Sequence, residues 1–125
     1  MSPQVLVVSR DAMLLQTRQL ILGAFFRTLS AGRLREVEAL LSTNRVDLII
    51  LCYTLAEEEC RHVIDLAMEQ KTPPRILRLT PAGFSSHEDP PSDSVLAEAG
   101  PYYLLKRSAE LLGVDIQAKP HLVQV

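Results

Sequence analysis

Cys52 follows the apolar run Leu48-Ile49-Ile50-Leu51, and a thiol at the mouth of a strand becomes a nucleophile once it loses its proton. Positive charge nearby favours that loss, and Arg10 and Lys106 are the candidates to supply it. Ser9 and Thr80 offer hydroxyls, which donate to or accept from an anion equally well. Two readings of Cys52 stand side by side: a reactive thiol, or a small inert residue closing a buried strand. Lys106 likewise has two, an anion-binding group or a cation that is paired with an acidic neighbour or solvated. Cys60 and His62 are two positions apart on one helix and point to different faces, so they make no metal pair. No CxxC or HExxH spacing occurs, and no metal or other cofactor is expected.

The elements that must position these groups alternate along the chain. Val5-Leu6-Val7-Val8 is a continuous apolar run, as in a parallel strand covered on both faces. Asp11 is a candidate helix N-cap. Met13, Leu14, Thr17, Leu20, Ile21, Ala24 and Phe25 then set an apolar stripe at helical spacing, with Gln16, Arg18 and Gln19 on other faces. Arg27 to Ala31 reads as a second strand, and Leu34, Val37, Leu40 and Leu41 as a second helix. Leu48 to Leu51 is the third strand. Cys60, Val63, Ile64, Ala67 and Met68 mark a third helix, whose first turn carries Glu57, Glu58 and Glu59 at the positive end of its dipole. Ile76, Leu77 and Leu79 make a fourth strand.

Beyond it the regularity fails. Pro81 to Asp93 is too broken by proline and polar residues for a helix. A short helix is expected over Ser92 to Ala99, a fifth strand over Tyr102 to Leu105, and a last helix over Ser108 to Gln117. On a strand, Tyr102 and Tyr103 would point to opposite faces, one into the core and one outward. Alternating strands and helices imply an α/β domain with a parallel sheet, and the chemistry of such sheets gathers beyond the carboxyl ends of the strands.

The residues at those ends are Ser9, Arg10, Cys52, Thr80 and Lys106. Together with Tyr103 they resemble the site of bacterial response-regulator receiver domains (CheY-like), over Val5 to about Gln117. The resemblance implies a doubly wound, five-stranded parallel sheet, flavodoxin-like, in a three-layer sandwich. The irregular stretch from Pro81 to Pro91 would replace much of that family's fourth helix. In the family two acidic residues after the first strand hold magnesium; here they are Ser9 and Arg10. The family's phosphoacceptor aspartate corresponds to Cys52. Its phosphoryl-binding Thr or Ser, switch aromatic and lysine correspond to Thr80, Tyr103 and Lys106. The resemblance is thus to a degenerate receiver, lacking the phosphoacceptor aspartate and the acidic metal-binding pair. Arg10 is a candidate to fill the vacated metal position, or else faces solvent.

At 125 residues the chain is long enough for one domain with its own core, taken as 1–125. A composition 47% hydrophobic and 22% charged fits a folded domain, and a net charge of −2 argues against nucleic acid as a partner. No apolar run has the length of a membrane span, and the amino-terminal residues lack the pattern of a signal peptide. Two cysteines without such a signal suggest free thiols in a reducing cytoplasm. No GxGxxG or other phosphate-cradling glycine loop points to a flavodoxin-like enzyme. The expected function is non-enzymatic signalling by protein–protein contact. The partner would be a histidine kinase, another receiver or a second copy of the chain. The alternative is a redox or phosphocysteine sensor built on Cys52.

Overall fold

The computed structural model describes residues 3–80, 92–96 and 101–114. Five strands form one sheet in the order β2-β1-β3-β4-β5, and every pairing is parallel. In chain order they are β1 (Gln4–Val8), β2 (Arg27–Ala31), β3 (Leu48–Leu51), β4 (Arg75–Thr80) and β5 (Ser92–Leu96). The helices are α1 (Ala12–Gly23), α2 (Leu34–Thr43), α3 (Glu57–Met68) and α4 (Pro101–Leu112).

The alternation of side chains along each strand builds two cores. Leu6, Val8, Ile49, Leu51 and Ile76 pack on one face against Val37 and Leu41 of α2 and Cys60, Val63 and Ala67 of α3. Val5, Val7, Leu48, Ile50, Leu77 and Leu79 pack on the other face, against Leu22 of α1 and Leu104 and Ala109 of α4. β3 and the Val5–Val8 part of β1 are apolar because both of their faces are covered. The result is the three-layer, doubly wound α/β sandwich expected from the alternating pattern. Among the described residues, no helix is long and apolar enough to cross a membrane.

Three of the sequence expectations are corrected in the last third of the chain. The segment Ser92–Leu96 is a strand, parallel to β4 in the register Ile76↔Ser92 to Thr80↔Leu96, and no helix runs from 92. Tyr102 to Leu105 is the start of α4. A run of Tyr-Tyr-Leu-Leu satisfies a strand or a helix equally well by itself. Pro101 at the first helical position, where its missing N–H costs nothing, and the spacing of Leu104, Ser108 and Leu111 favour the helix. That helix begins seven residues before Ser108 and gives way at Gly113, whose φ of 71° ends it in the left-handed region. Most of the irregular stretch from Pro81 to Asp93 lies outside the described residues.

Helix α1 is also turned relative to its expected stripe. Asp11 does cap it, its Oδ1 accepting from the backbone N–H of Met13 at 2.9 Å and of Leu14 at 3.1 Å. The buried residues, however, are Arg18 and Leu22, while Met13 and Leu20 are 78% and 72% exposed. Apolar side chains surround this helix on several faces, so periodicity alone leaves its rotation open. Packing of Leu15, Leu22, Phe25 and Phe26 against the sheet settles it.

Candidate functional site

The strand order reverses between β1 and β3, the two strands that carry Ser9 and Cys52 at their carboxyl ends. Open parallel sheets bind ligands in the crevice outside such a switch point. The Cys52 N–H donates to the Val8 carbonyl at 3.0 Å, which carries the β1–β3 ladder one residue past β3. Alternation puts Cys52 on the same face as Leu48 and Ile50, toward α1 and α4.

That placement brings Cys52 to a residue outside the expected set. Nη1 of Arg18 donates to Cys52 Sγ at 3.3 Å. Both groups are buried, Cys52 to 1% exposure and Arg18 to 7%. Burial pushes the thiol pKa up from its ordinary value; the Arg18 charge and hydrogen bonds from Ser9 and Arg18 pull the other way without prevailing. The thiol is therefore the resting form, and its arginine neighbour is a fixed cation. Sequence periodicity had assigned Arg18 to an outer face. The available signal was its position four residues before Leu22, once the inward stripe of α1 is known.

Ser9 is buried and committed to local bonds. Its Oγ lies 3.1 Å from Thr54 Oγ1, accepts from the Asp11 N–H at 3.1 Å and donates to the Asp11 carbonyl at 3.2 Å. Thr54 Oγ1 also accepts from the Arg10 N–H at 3.0 Å, so the loops after β1 and β3 are stitched together through hydroxyls. The Arg10 side chain is half exposed and bridges to the first turn of α3. Its guanidinium turns to the Glu59 carboxylate on α3. The hydrogen bond from Arg10, with a second from the Ala56 N–H, holds the Glu59 carboxyl below its ordinary pKa. The Asp11 carboxylate is committed to the α1 cap. Glu57 is similarly drawn to Arg78 of β4 at 2.9 Å, which lowers its pKa. The acidic first turn of α3 is thus partly spent on ion pairs instead of being wholly solvated.

Thr80 is the last residue of β4 and is buried, as a strand-end hydroxyl should be. Lys106 and Tyr103 are placed differently from expectation. Both lie on α4 and are exposed, and so is Tyr102. The two tyrosine rings meet edge to face, with centroids 5.7 Å apart. The residues following β5 are Ala97-Glu98-Ala99-Gly100, so no lysine directly succeeds that strand.

The donor set does not fit magnesium. That ion requires hard oxygen ligands in near-octahedral array, usually including carboxylates. The matching positions offer an engaged hydroxyl, an arginine paired with Glu59 and a thiol bonded to a second arginine. Among the described residues no cluster of three or more His, Cys, Asp or Glu could hold a metal. A cleft of about 480 Å³ is found at the other end of the sheet, lined by residues such as Gln4, Arg27, Arg45 and Asp47.

By sequence, no family model matches the chain and no curated protein matches it. Solved structures match closely in shape. The chemotaxis response regulator CheY4 of Vibrio cholerae is 21% identical with a TM-score of 0.71, covering 90% of this chain and 100% of that one. A signal receiver domain from Vibrio parahaemolyticus is 18% identical with a TM-score of 0.73, covering 100% and 99%. A response regulator receiver domain from Bacillus halodurans is 16% identical with a TM-score of 0.71, covering 89% and 97%. At such identities the likeness is one of fold, and it agrees with the strand order and layering described above. The chain has the CheY-like fold of response-regulator receiver domains.

Proposed function

We propose that this chain is a pseudo-receiver: a signalling domain of two-component type that acts by protein–protein contact, is not an enzyme and is not phosphorylated at an aspartate with magnesium. The observation that carries this reading is the buried Arg18–Cys52 pair at the switch point, where a receiver fold would need a carboxylate beside a metal. Cys52 and Thr80 form the relic of a phosphorylation site, and Ser9 and Arg10 that of a metal site. Tyr103 and Lys106, exposed on α4, belong to the partner face, with Tyr102 beside them. The partner is a protein: a histidine kinase, another receiver or a second copy of this chain. The competing thiol-sensor reading is weakened by the same geometry, because a buried thiol with a raised pKa is protonated at neutral pH and shielded from reagents.

The test is incubation of the native chain with acetyl phosphate and magnesium, read by intact mass. No phosphoryl adduct is expected. A saturable, magnesium-dependent adduct would overturn the reading, and its stability to base would tell an acyl phosphate from a thiophosphate.

A further inference from the structure

Arg18 sits one and a half turns into α1 on the inward stripe Leu15, Arg18, Leu22, and carries its charge into the strand-end site. A buried guanidinium calls for strong acceptors, and a thiol is a weak one. Among the described residues its hydrogen-bond acceptor is Cys52 Sγ. Two carboxylates close to the site in sequence are otherwise engaged, Asp11 in the α1 cap and Glu59 with Arg10. The loss of metal ligands alone would leave this corner neutral. Instead it holds a resident cation.

We infer that Arg18 is this chain's built-in substitute for a divalent cation, that it excludes such ions from the strand-end site by charge, and that it would capture any carboxylate placed at position 52. The inference rests on the pseudo-receiver reading and deepens it. Its physical content is that two cations compete for one small, poorly solvated corner, and the covalently tethered one is always present. A carboxylate replacing the thiol would accept Arg18 in a charge-assisted, forked hydrogen bond and be withdrawn from metal binding. Restoring Ser9→Asp, Arg10→Asp and Cys52→Asp together would then still give a poor magnesium site.

The experiment is a calorimetric magnesium titration of that triple variant with Arg18 intact, and of the same variant carrying Arg18→Met. The expected result is binding at least about tenfold weaker with Arg18 present, a difference of about 1.4 kcal/mol. Equal affinities would overturn the inference. Should the fourfold variant not fold, thermal melts of Cys52→Asp and Cys52→Asn without magnesium decide. With Arg18 present the Asp variant should melt higher than the Asn variant, and in an Arg18→Met background that order should reverse. An Asp variant no more stable than the Asn variant beside Arg18 would also overturn the inference. Neither outcome bears on the proposed function, which falls only if the native chain is labelled by acetyl phosphate.

Discussion

A thiol buried beside a guanidinium is pulled two ways. Arg18 favours the thiolate, while the loss of water around Cys52 favours the neutral form, and at this depth desolvation is the larger effect. The folded chain therefore keeps Cys52 neutral to a higher pH than an ordinary thiol. The sign for stability follows: the contribution from keeping Cys52 neutral is complete below pH 9.0 and is lost as pH rises through the higher folded value. At pH 7 we expect Cys52 in the native chain to react with iodoacetamide at least about tenfold more slowly than in the urea-unfolded chain. Peptide mass spectrometry separates its labelling from that of Cys60, which is also buried with a raised pKa. Equal rates in both states would mean that Arg18 activates the thiol, and would move the redox reading forward.

Helix α1 shows how an element chooses which residues meet the site. Met13, Leu14, Leu20, Ile21 and Leu22 are spread around it, so at least two stripes could face the sheet. The face that wins carries Leu22 and Arg18, and by winning it delivers a cation to Cys52. Leu22→Ala should cost about 2–5 kcal/mol in urea denaturation, the range for truncating a buried leucine. Leu20→Ala should stay within about 0.5 kcal/mol, as surface changes do. The opposite order would put the helix back on its other stripe and remove Arg18 from the site. Element scale also explains the loops. The Ser9, Thr54 and Arg10 bonds, with the Arg10–Glu59 pair, tie the β1–α1 connection to α3. The Arg10 side chain is half exposed, so that ion pair adds at most about 1 kcal/mol.

For the whole molecule the sheet is the rigid frame. β1 pairs on both sides and is buried along its length, and β3 is likewise enclosed between β1 and β4. β2 is an edge strand with most of its residues partly exposed. Native-state hydrogen exchange should therefore find the amides of Val7, Ile49 and Ile50 among the slowest, opening only with global unfolding, with those of Thr28 and Leu29 faster. Faster exchange in β3 than in β2 would contradict the packing. The switch-point site rests on the two slow strands, so the Arg18–Cys52 pair is held on the least mobile part of the sheet.

The order of the first seven elements, β1 to β4, could be read from the sequence, because apolar runs and helical spacing alternate along it, although the rotation of α1 could not. Val5 to Val8 and Leu48 to Leu51 are apolar on both faces, and the spacing of Val37 with Leu41 and of Cys60, Val63 and Ala67 fixes the inward sides of α2 and α3. The strand-end places of Ser9 and Cys52 followed from the same pattern, as did the absence of a carboxylate at either. Tertiary structure alone decided the rest. Ser92–Leu96 has little apolar character of its own and is a strand because β4 offers it a ladder of hydrogen bonds. Tyr102 to Leu105 fits either period, and packing of Leu104 and Ala109 on the sheet made it helical. Arg18 looked like a surface charge until the sheet selected the face of α1. A polar residue enters a core only when its neighbours on the helix must be buried, and that choice depends on contacts distant in sequence.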